Sequence, residues 1–464
     1  MPEPPVIVIG GGAAGLSAAH ELRKRGIPVL LLEASDAAGG RMAGEVVGDF
    51  HVDTGAQLFS TAYNAALRLA EELDVRFDRS PVSAIATVYN SRKRKTGVMN
   101  PSSFLHLDNI RTLLSCSLFS PRGLAQFVRF ARLLSKRRDD FRSGDYMSLL
   151  DLDVEDTCAE WCRKNVGQQF LEEFGNFAVA SITLSTPERI GALNGMMMLW
   201  MAFLERQHTL RMPEYGMGYF SRRLAKACED VTRLATPVEQ VLVADGAARG
   251  VVTLRDGFLE ARAVICATTA PVALRILPRL PVPTREFLES VRYSCCCHVV
   301  FGVDRHPLPK GHYFFMLQRK GESLLDCFLD STVGSPLSAP EGHGCIHAYP
   351  SEEASRRLIG LDDEEIKRRV LDEIRSYAPA MPKEPLFTRV YRWGEAVVLP
   401  DGGMMRRIES LRAKGFPGVP GLFLAGDYLH MLANVNGALM TGIRAADEAD
   451  RYLHKPLPHS EISA

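Results

Sequence analysis

The sequence predicts an α/β fold built on a parallel sheet, and three observations carry that prediction. The apolar run Val6-Ile7-Val8-Ile9 leads directly into Gly10-Gly11-Gly12-Ala13-Ala14-Gly15. A second apolar run, Pro28 to Leu32, ends at the acid Glu33. Near the other end of the chain, Gly421-Leu422-Phe423-Leu424-Ala425 runs into Gly426-Asp427, and Asn434-Val435-Asn436-Gly437-Ala438 then opens a helix to about Leu453.

The first segment reads as a buried strand, a tight glycine turn and a helix from about Ala13 to Arg25. Gly10 allows the turn. Gly12, with Ala14 in the opening turn of the helix, lets backbone N–H groups approach a pyrophosphate at the helix's positive end. Gly15 lets the helix sit close on the strand. Glu33 stands about where a carboxylate grips a ribose hydroxyl. Strand, glycine turn, helix, second strand and acid in register make a Rossmann-like dinucleotide site. The motif alone does not separate NAD from FAD.

Gly39-Gly40-Arg41 follows, then Asp53-Thr54-Gly55-Ala56-Gln57. An arginine after two glycines can approach a pyrophosphate and pair with it. At the far end, a strand ending in Gly426-Asp427 before a helix N-terminus makes a second site friendly to anions and polar groups. A flavin needs this more than NAD does. Asp427 can hold a ribityl or pyrophosphate-side hydroxyl. The helix N-terminus at Val435, Asn436 and Ala438 can face the flavin edge where negative charge develops on reduction.

Bulk properties exclude several function classes. The chain has 464 residues, enough for two or three domains. Lys+Arg and Asp+Glu balance at 55 each, so no net field argues for nucleic acid. No run reaches the roughly 18 apolar residues of a membrane span. The N-terminus lacks a signal-peptide pattern, so a cytoplasmic location is expected. The 10 cysteines do not form a disulfide framework in a chain this long. Neither the Cys158/Cys162 pair nor the Cys295-Cys296-Cys297 run has zinc-ligand spacing, and no metal site is expected.

The nucleotide-binding domain reads as discontinuous, over 1–78, 212–270 and 415–464. The insert 79–211 is expected to be mostly helical after a strand at Ala84–Val88 and the basic turn Arg92–Lys95. Its helices are read at Leu124–Lys136, Glu155–Lys164, Gln168–Phe177 and Asn194–Arg206. The insert 271–414 carries strands at Cys295–Val303, His312–Leu317, Leu324–Leu329, Cys345–Tyr349 and Leu386–Arg392, with a helix at about Asp363–Tyr377. The tail Pro456–Ala464 reads as frayed.

Taken together, GGGAAG (10–15), LLLEAS (30–35), GGRM (39–42), DTGAQ (53–57) and LFLAGDY with NGALMTGIRAA (422–446) resemble one family. It is the FAD-dependent flavin amine oxidase and protoporphyrinogen oxidase superfamily, to which phytoene desaturases are related. The resemblance implies a glutathione-reductase-like FAD domain with an inserted mixed sheet-plus-helices substrate domain. It also implies that Val238, in Pro237-Val238-Glu239, touches the adenine through its backbone. Gly55, Ala56 and Gln57 join the cofactor set on the same ground.

Several features typical of the amine oxidases in this superfamily are missing. Asn434 stands where an aromatic ring flanks the flavin in those enzymes. The strand Tyr293–Val300 has no lysine to hold a water near N5, and Trp393–Pro420 has no cysteine for covalent attachment. Noncovalent FAD is therefore expected. Tyr391–Pro400 resembles the tryptophan-to-proline segment of the protoporphyrinogen oxidase branch, so Trp393 is a candidate wall of the site; it also reads as a core tryptophan. His298 is the acid–base candidate, with an ordinary strand histidine as the alternative.

The run Met196–Phe203 is apolar all round and reads as a buried helix, in the core or against a greasy substrate. Leu124, Phe127, Val128, Ala131 and Leu134 form an apolar stripe ringed by Arg122, Arg129, Arg132, Lys136, Arg137 and Arg138. Such a helix either faces the core or lies peripherally on an anionic membrane. The expected function is FAD-dependent removal of hydride from a hydrophobic or conjugated small molecule, protoporphyrinogen-oxidase-like or desaturase-like. Oxygen or another acceptor takes the electrons. The alternatives are a flavin amine oxidase, which makes imine and hydrogen peroxide, and a flavin-binding protein without turnover.

Overall fold

The structure is a computed structural model that describes residues 3–77, 85–100, 107–115, 118–143, 146–205, 209–318 and 323–454. Ala84, Arg206, the junction 78/79 and the tail Pro456–Ala464 lie outside the described residues.

Five parallel strands form one sheet, in the spatial order Leu422–Leu424, Ala263–Cys266, Val6–Ile9, Val29–Leu32 and Thr232–Arg233. Val6–Ile9 sits at the centre, Val6 pairing with both Val29 and Ala263. Every residue of that strand is buried, which is why it reads as an unbroken apolar run rather than an alternating one. The first and last thirds of the chain meet here. Helix Ala13–Lys24 packs against the final helix Val435–Leu453, and Ser17 Oγ donates to Leu439 O across them at 3.1 Å. A small antiparallel sheet, Val238–Ala244, Ala247–Thr253 and Gly257–Glu260, completes the arrangement expected of a glutathione-reductase-like domain.

The second sheet has seven strands. Their order is Phe387–Trp393, Cys296–Val303, Gly344–Pro350, Leu325–Asp330, His312–Gln318, Ile85–Asn90 and Lys95–Met99. It is mixed, because His312–Gln318 runs parallel to Ile85–Asn90 while the other pairs are antiparallel. The three adjacent cysteines alternate in direction as a strand requires. Cys296 joins the main core, and Cys297 joins a second core that includes Ile366, Val370 and Ile374 of helix Asp363–Tyr377.

Two helical expectations need correction. Gln168–Phe177 is not one helix. A short α-turn, Gln168–Phe170, widens into a π-turn over Leu171–Gly175 before Asn176–Thr183 resumes the α form. The Gln318 amide from the neighbouring sheet donates to Glu173 O at 2.6 Å, so a side chain competes with the helical ladder there. In Pro121–Ser135 the buried residues are Gly123, Phe130 and Leu134, whereas Val128 is 47% exposed. The helix lies close against the Glu173 carboxylate at Gly123, where a Cβ would come within 1.9 Å of it.

Candidate functional site

The first helix presents its N-terminus through the glycine turn. No side chain caps it. Gly10 has φ +99°, and Gly15 is packed so closely that a Cβ would lie 1.8 Å from Gly10 O. A Cβ on Gly12, by contrast, would meet nothing within 4 Å. The turn is therefore crowded on its protein side and open in front of the helix. Ala14 is buried in the first helical turn. Gly39 N donates to Gly11 O at 2.8 Å and Gly40 takes φ +53°, so the second glycine pair lies against the first. Glu33 Oε2 accepts from Gly11 N at 2.6 Å and Oε1 accepts from Ser35 N at 2.8 Å. One carboxylate thus braces the turn and keeps lone pairs for further donors. Open space before uncapped N–H groups, beside an acid and an arginine, fits the pyrophosphate and ribose of FAD.

Arg41 reaches from that glycine pair to the far end of the chain. Its guanidinium pairs with Asp427 at 2.9 Å and donates to Ala396 O at 3.0 Å. Gly426 takes φ +156°, and its N–H donates to Thr441 Oγ1 in the final helix at 3.0 Å. Gly55 is packed against Arg41, where a Cβ would lie 2.4 Å from Arg41 O, and Ala56 N donates to the same carbonyl at 2.8 Å. Asp53 accepts from Met217 N and Gly218 N at 3.1 and 2.7 Å, at the start of helix Met217–Ala227. Burial nevertheless pushes its pKa up to about 7. Val238 is half-buried at the beginning of its strand.

His298 and Trp393 meet at one backbone oxygen. Thr54 O accepts from Trp393 Nε1 at 2.8 Å and from His298 Nδ1 at 3.0 Å. A carbonyl only accepts, so His298 carries its proton on Nδ1. Its Nε2 then faces His347 Nδ1 at 3.1 Å, and Gln57 Nε2 lies 2.9 Å from that same His347 nitrogen. Both histidines are fully buried. Burial pulls the His298 pKa down to about 4 and that of His347 well below its ordinary value. Neither His298 nor Trp393 lines the large cavity next to the final helix.

That cavity holds about 1080 Å³. Phe127, Phe174, Phe177, Met197, Trp200 and Phe203 make much of its wall, with Phe314 and Met316 of the mixed sheet opposite. The Met196–Phe203 run serves both of its readings: Met197, Trp200 and Met201 face the cavity, while Met196 and Leu199 are buried in the core. At one end the turn His430–Asn434 closes the space. Asn434 lines it, but its oxygen also caps the final helix by accepting from Gly437 N at 2.9 Å, and its amide donates to Tyr63 Oη at 3.3 Å. Asn436 is turned inward. Its oxygen accepts from Ala65 N and Ala66 N, both at 3.1 Å, at the start of helix Asn64–Glu72. Val435 is half-buried and Ala438 buried behind it.

Sequence reasoning passed over Tyr63, His347, His430, Arg142 and Glu205. The first three stand in no motif. Arg142 is hidden in a stretch rich in arginine, and only the fold brings it to Glu205 at the cavity wall.

The comparisons with known proteins agree with this geometry. The model of the family "Flavin containing amine oxidoreductase" matches residues 13–449. The chain is 24% identical to an all-trans-zeta-carotene desaturase of Myxococcus xanthus, over 78% of this chain and 75% of that one. It is 25% identical to flavin-containing amine oxidase B of Rattus norvegicus, over 98% and 88%. Among solved structures, wild-type putrescine oxidase bound to putrescine superposes with a TM-score of 0.74 at 19% identity, over 97% and 99% of the two chains.

Proposed function

The chain belongs to the flavin containing amine oxidoreductase family and is an FAD-dependent oxidoreductase; from that premise we propose that its substrate is a large apolar or conjugated small molecule, oxidised in a protoporphyrinogen-oxidase-like or desaturase-like manner. The observation that carries this reading is the cavity of about 1080 Å³, walled by phenylalanine, methionine and tryptophan and ending at the turn before the final helix. Its volume and apolar wall suit a long or flat hydrophobic body better than a short diamine. When bound, FAD supplies the hydride acceptor.

We assign the segments 1–78, 212–270 and 415–464 to cofactor binding and the two inserts to the substrate. Gly10, Gly12, Ala14, Gly15, Gly40 and Arg41 would hold the pyrophosphate noncovalently, Glu33 the ribose, and Val238 the adenine. Gly55, Ala56, Gln57, Gly426, Asp427, Val435, Asn436 and Ala438 would surround the flavin end. Asn434 would close the cavity against it. His298 and Trp393 serve in this reading as positioning groups rather than as acid, base or wall. Their two donors fix Thr54 O, and so the backbone that carries Gly55 to Gln57. The apolar wall excludes water from the reacting bond. Oxygen is the proposed electron acceptor.

A substrate of this kind partitions into lipid, and one helix suits peripheral contact with a membrane. Phe127 lines the cavity on one side and, with Val128, Ala131 and Arg132, a surface dent on the other. Arg122, Arg129, Arg132 and Lys136 are exposed around it. Among the described residues, no helix is long and apolar enough to cross a membrane.

Anaerobic flavin bleaching by a panel of porphyrinogens, polyenes and amines tests the substrate reading. Bleaching by porphyrinogens or polyenes is expected. Bleaching by simple amines alone would sink it in favour of an amine oxidase.

A further inference from the structure

We propose that this cavity selects a substrate whose apolar body ends in a carboxylate, and that Arg142 receives that carboxylate at the wall remote from the final helix. The proposal rests on the reading of the cavity as the substrate site and narrows its substrate class.

Among the described residues, Arg142 and Glu205 are the two side chains with a full charge that line the cavity. They are loosely joined. Arg142 Nε stands 3.6 Å from Glu205 Oε2, beyond hydrogen-bond reach, and this buried Nε has no hydrogen-bond acceptor. Glu205 is better served. Its side chain is 6% exposed, and Oε2 accepts from Trp200 Nε1 at 3.2 Å. A guanidinium has five N–H donors and no acceptor. Arg142 therefore brings an unpartnered donor to an apolar wall, beside an acid that already accepts from Trp200.

A hydrocarbon laid against that wall would cover the cation and give it nothing to bond. A carboxylate would take its donors, in the paired geometry that arginine favours. An ammonium fits less well: Arg142 repels it, and Glu205 Oε2 already accepts from Trp200 Nε1.

Helix Ala192–Phe203 sets the distance. Asn194 Nδ2 donates to Met431 O in the turn that closes the cavity, and Trp200 in the same helix donates to Glu205. At about 1.5 Å of rise per residue, these two contacts are about 9 Å apart along the helix axis. Along this helix the head group thus lies at the Trp200 end rather than at the Met431 turn, which places an apolar spacer between it and the end where Asn434 stands.

The test uses the holoprotein and cis-parinaric acid, a conjugated fatty acid that fluoresces in apolar pockets. Its methyl ester and oleylamine serve as comparisons. The wild type should bind the acid at least about tenfold more tightly than the ester, since a hydrogen bond to a charged group is worth that much or more. Arg142→Gln should cut the preference to roughly twofold with the ester's affinity kept, and Arg142→Lys should restore part of it. Equal binding of acid and ester by the wild type would overturn the proposal. So would a preference that survives in Arg142→Gln, tighter binding of oleylamine, or no binding of the acid. The flavin absorption spectrum and its reduction by dithionite are read on the same samples. Their loss would strike the cofactor reading instead, so the two failures are distinguishable.

Discussion

At the scale of single residues, His298 shows how burial changes a role. A histidine on a strand is a natural proton acceptor near neutral pH, but here both ring nitrogens are hydrogen-bonded and desolvation pulls the pKa down to about 4. The folded chain therefore holds this ring neutral while an unfolded chain protonates it near 6.5. The stability it contributes is present above that unfolded value and is lost as pH falls from there toward about 4. His298→Asn, whose amide can replace the donor to Thr54 O, should flatten this part of the stability profile, measured by denaturant unfolding between pH 7 and 4. His298→Leu leaves Thr54 O with Trp393 alone and should cost about 1–3 kcal/mol at pH 7. If both variants titrate like the wild type, His298 does not carry the pH dependence. Its environment was not legible in the sequence. His347 and Thr54 are distant along the chain, and a strand histidine looks the same whichever face it takes.

At the scale of elements, the glycines of the first turn divide by what surrounds them. Gly15 was legible as a close-packing position, and the reason is the carbonyl of Gly10 in the path of any Cβ. Gly442 was not singled out, yet a Cβ there would lie 2.0 Å from Ala14 O, where the first and last helices touch. Gly442→Ala should therefore destabilise the chain by about 1–3 kcal/mol through overpacking. Gly12→Ala should leave unfolding within about 0.5 kcal/mol of the wild type, because its backbone is extended and the added methyl meets open space. The same methyl stands where the pyrophosphate is assigned, so FAD affinity, measured by flavin fluorescence, should fall. Unchanged affinity would remove the cofactor from this turn. The widened segment Leu171–Gly175 was illegible for a different reason, since the Gln318 side chain that competes with its ladder comes from a strand far along the chain.

At the scale of the whole molecule, the proposed cofactor site draws on both ends of the chain. The Arg41–Asp427 pair and the Ser17–Leu439 contact join segments that lie at opposite ends of the sequence. A ligand that bridges such segments stabilises the folded state by mass action. FAD at 100 times its Kd should add about 2.7 kcal/mol to unfolding over the stripped protein. No change in melting temperature on stripping and restoring FAD would contradict that bridging. The helix Pro121–Ser135 carries arginines and no acid, beside a cavity wall one side chain thick at Phe127. The chain should therefore pellet with vesicles containing phosphatidylglycerol at low salt, and less so after Arg129→Gln with Arg132→Gln. No pelleting of the wild type would end the membrane reading.

The sequence by itself determined the cofactor-binding fold. The glycine turn, the two buried strands and Glu33 fall within one short strand–helix–strand unit, so their spacing survives in the linear chain. It also located its own silence, in the two inserts and at Asn434 beside the last helix. Only the tertiary structure decided what occupies those places. It made Asn434 a cap as well as a cavity wall, and it turned His298 away from the cavity toward Thr54 and His347. It also brought Arg142 to Glu205 across an apolar cavity. Burial and partnership are properties of residues far apart in the chain, and they set whether a side chain is neutral or charged, satisfied or waiting for a ligand.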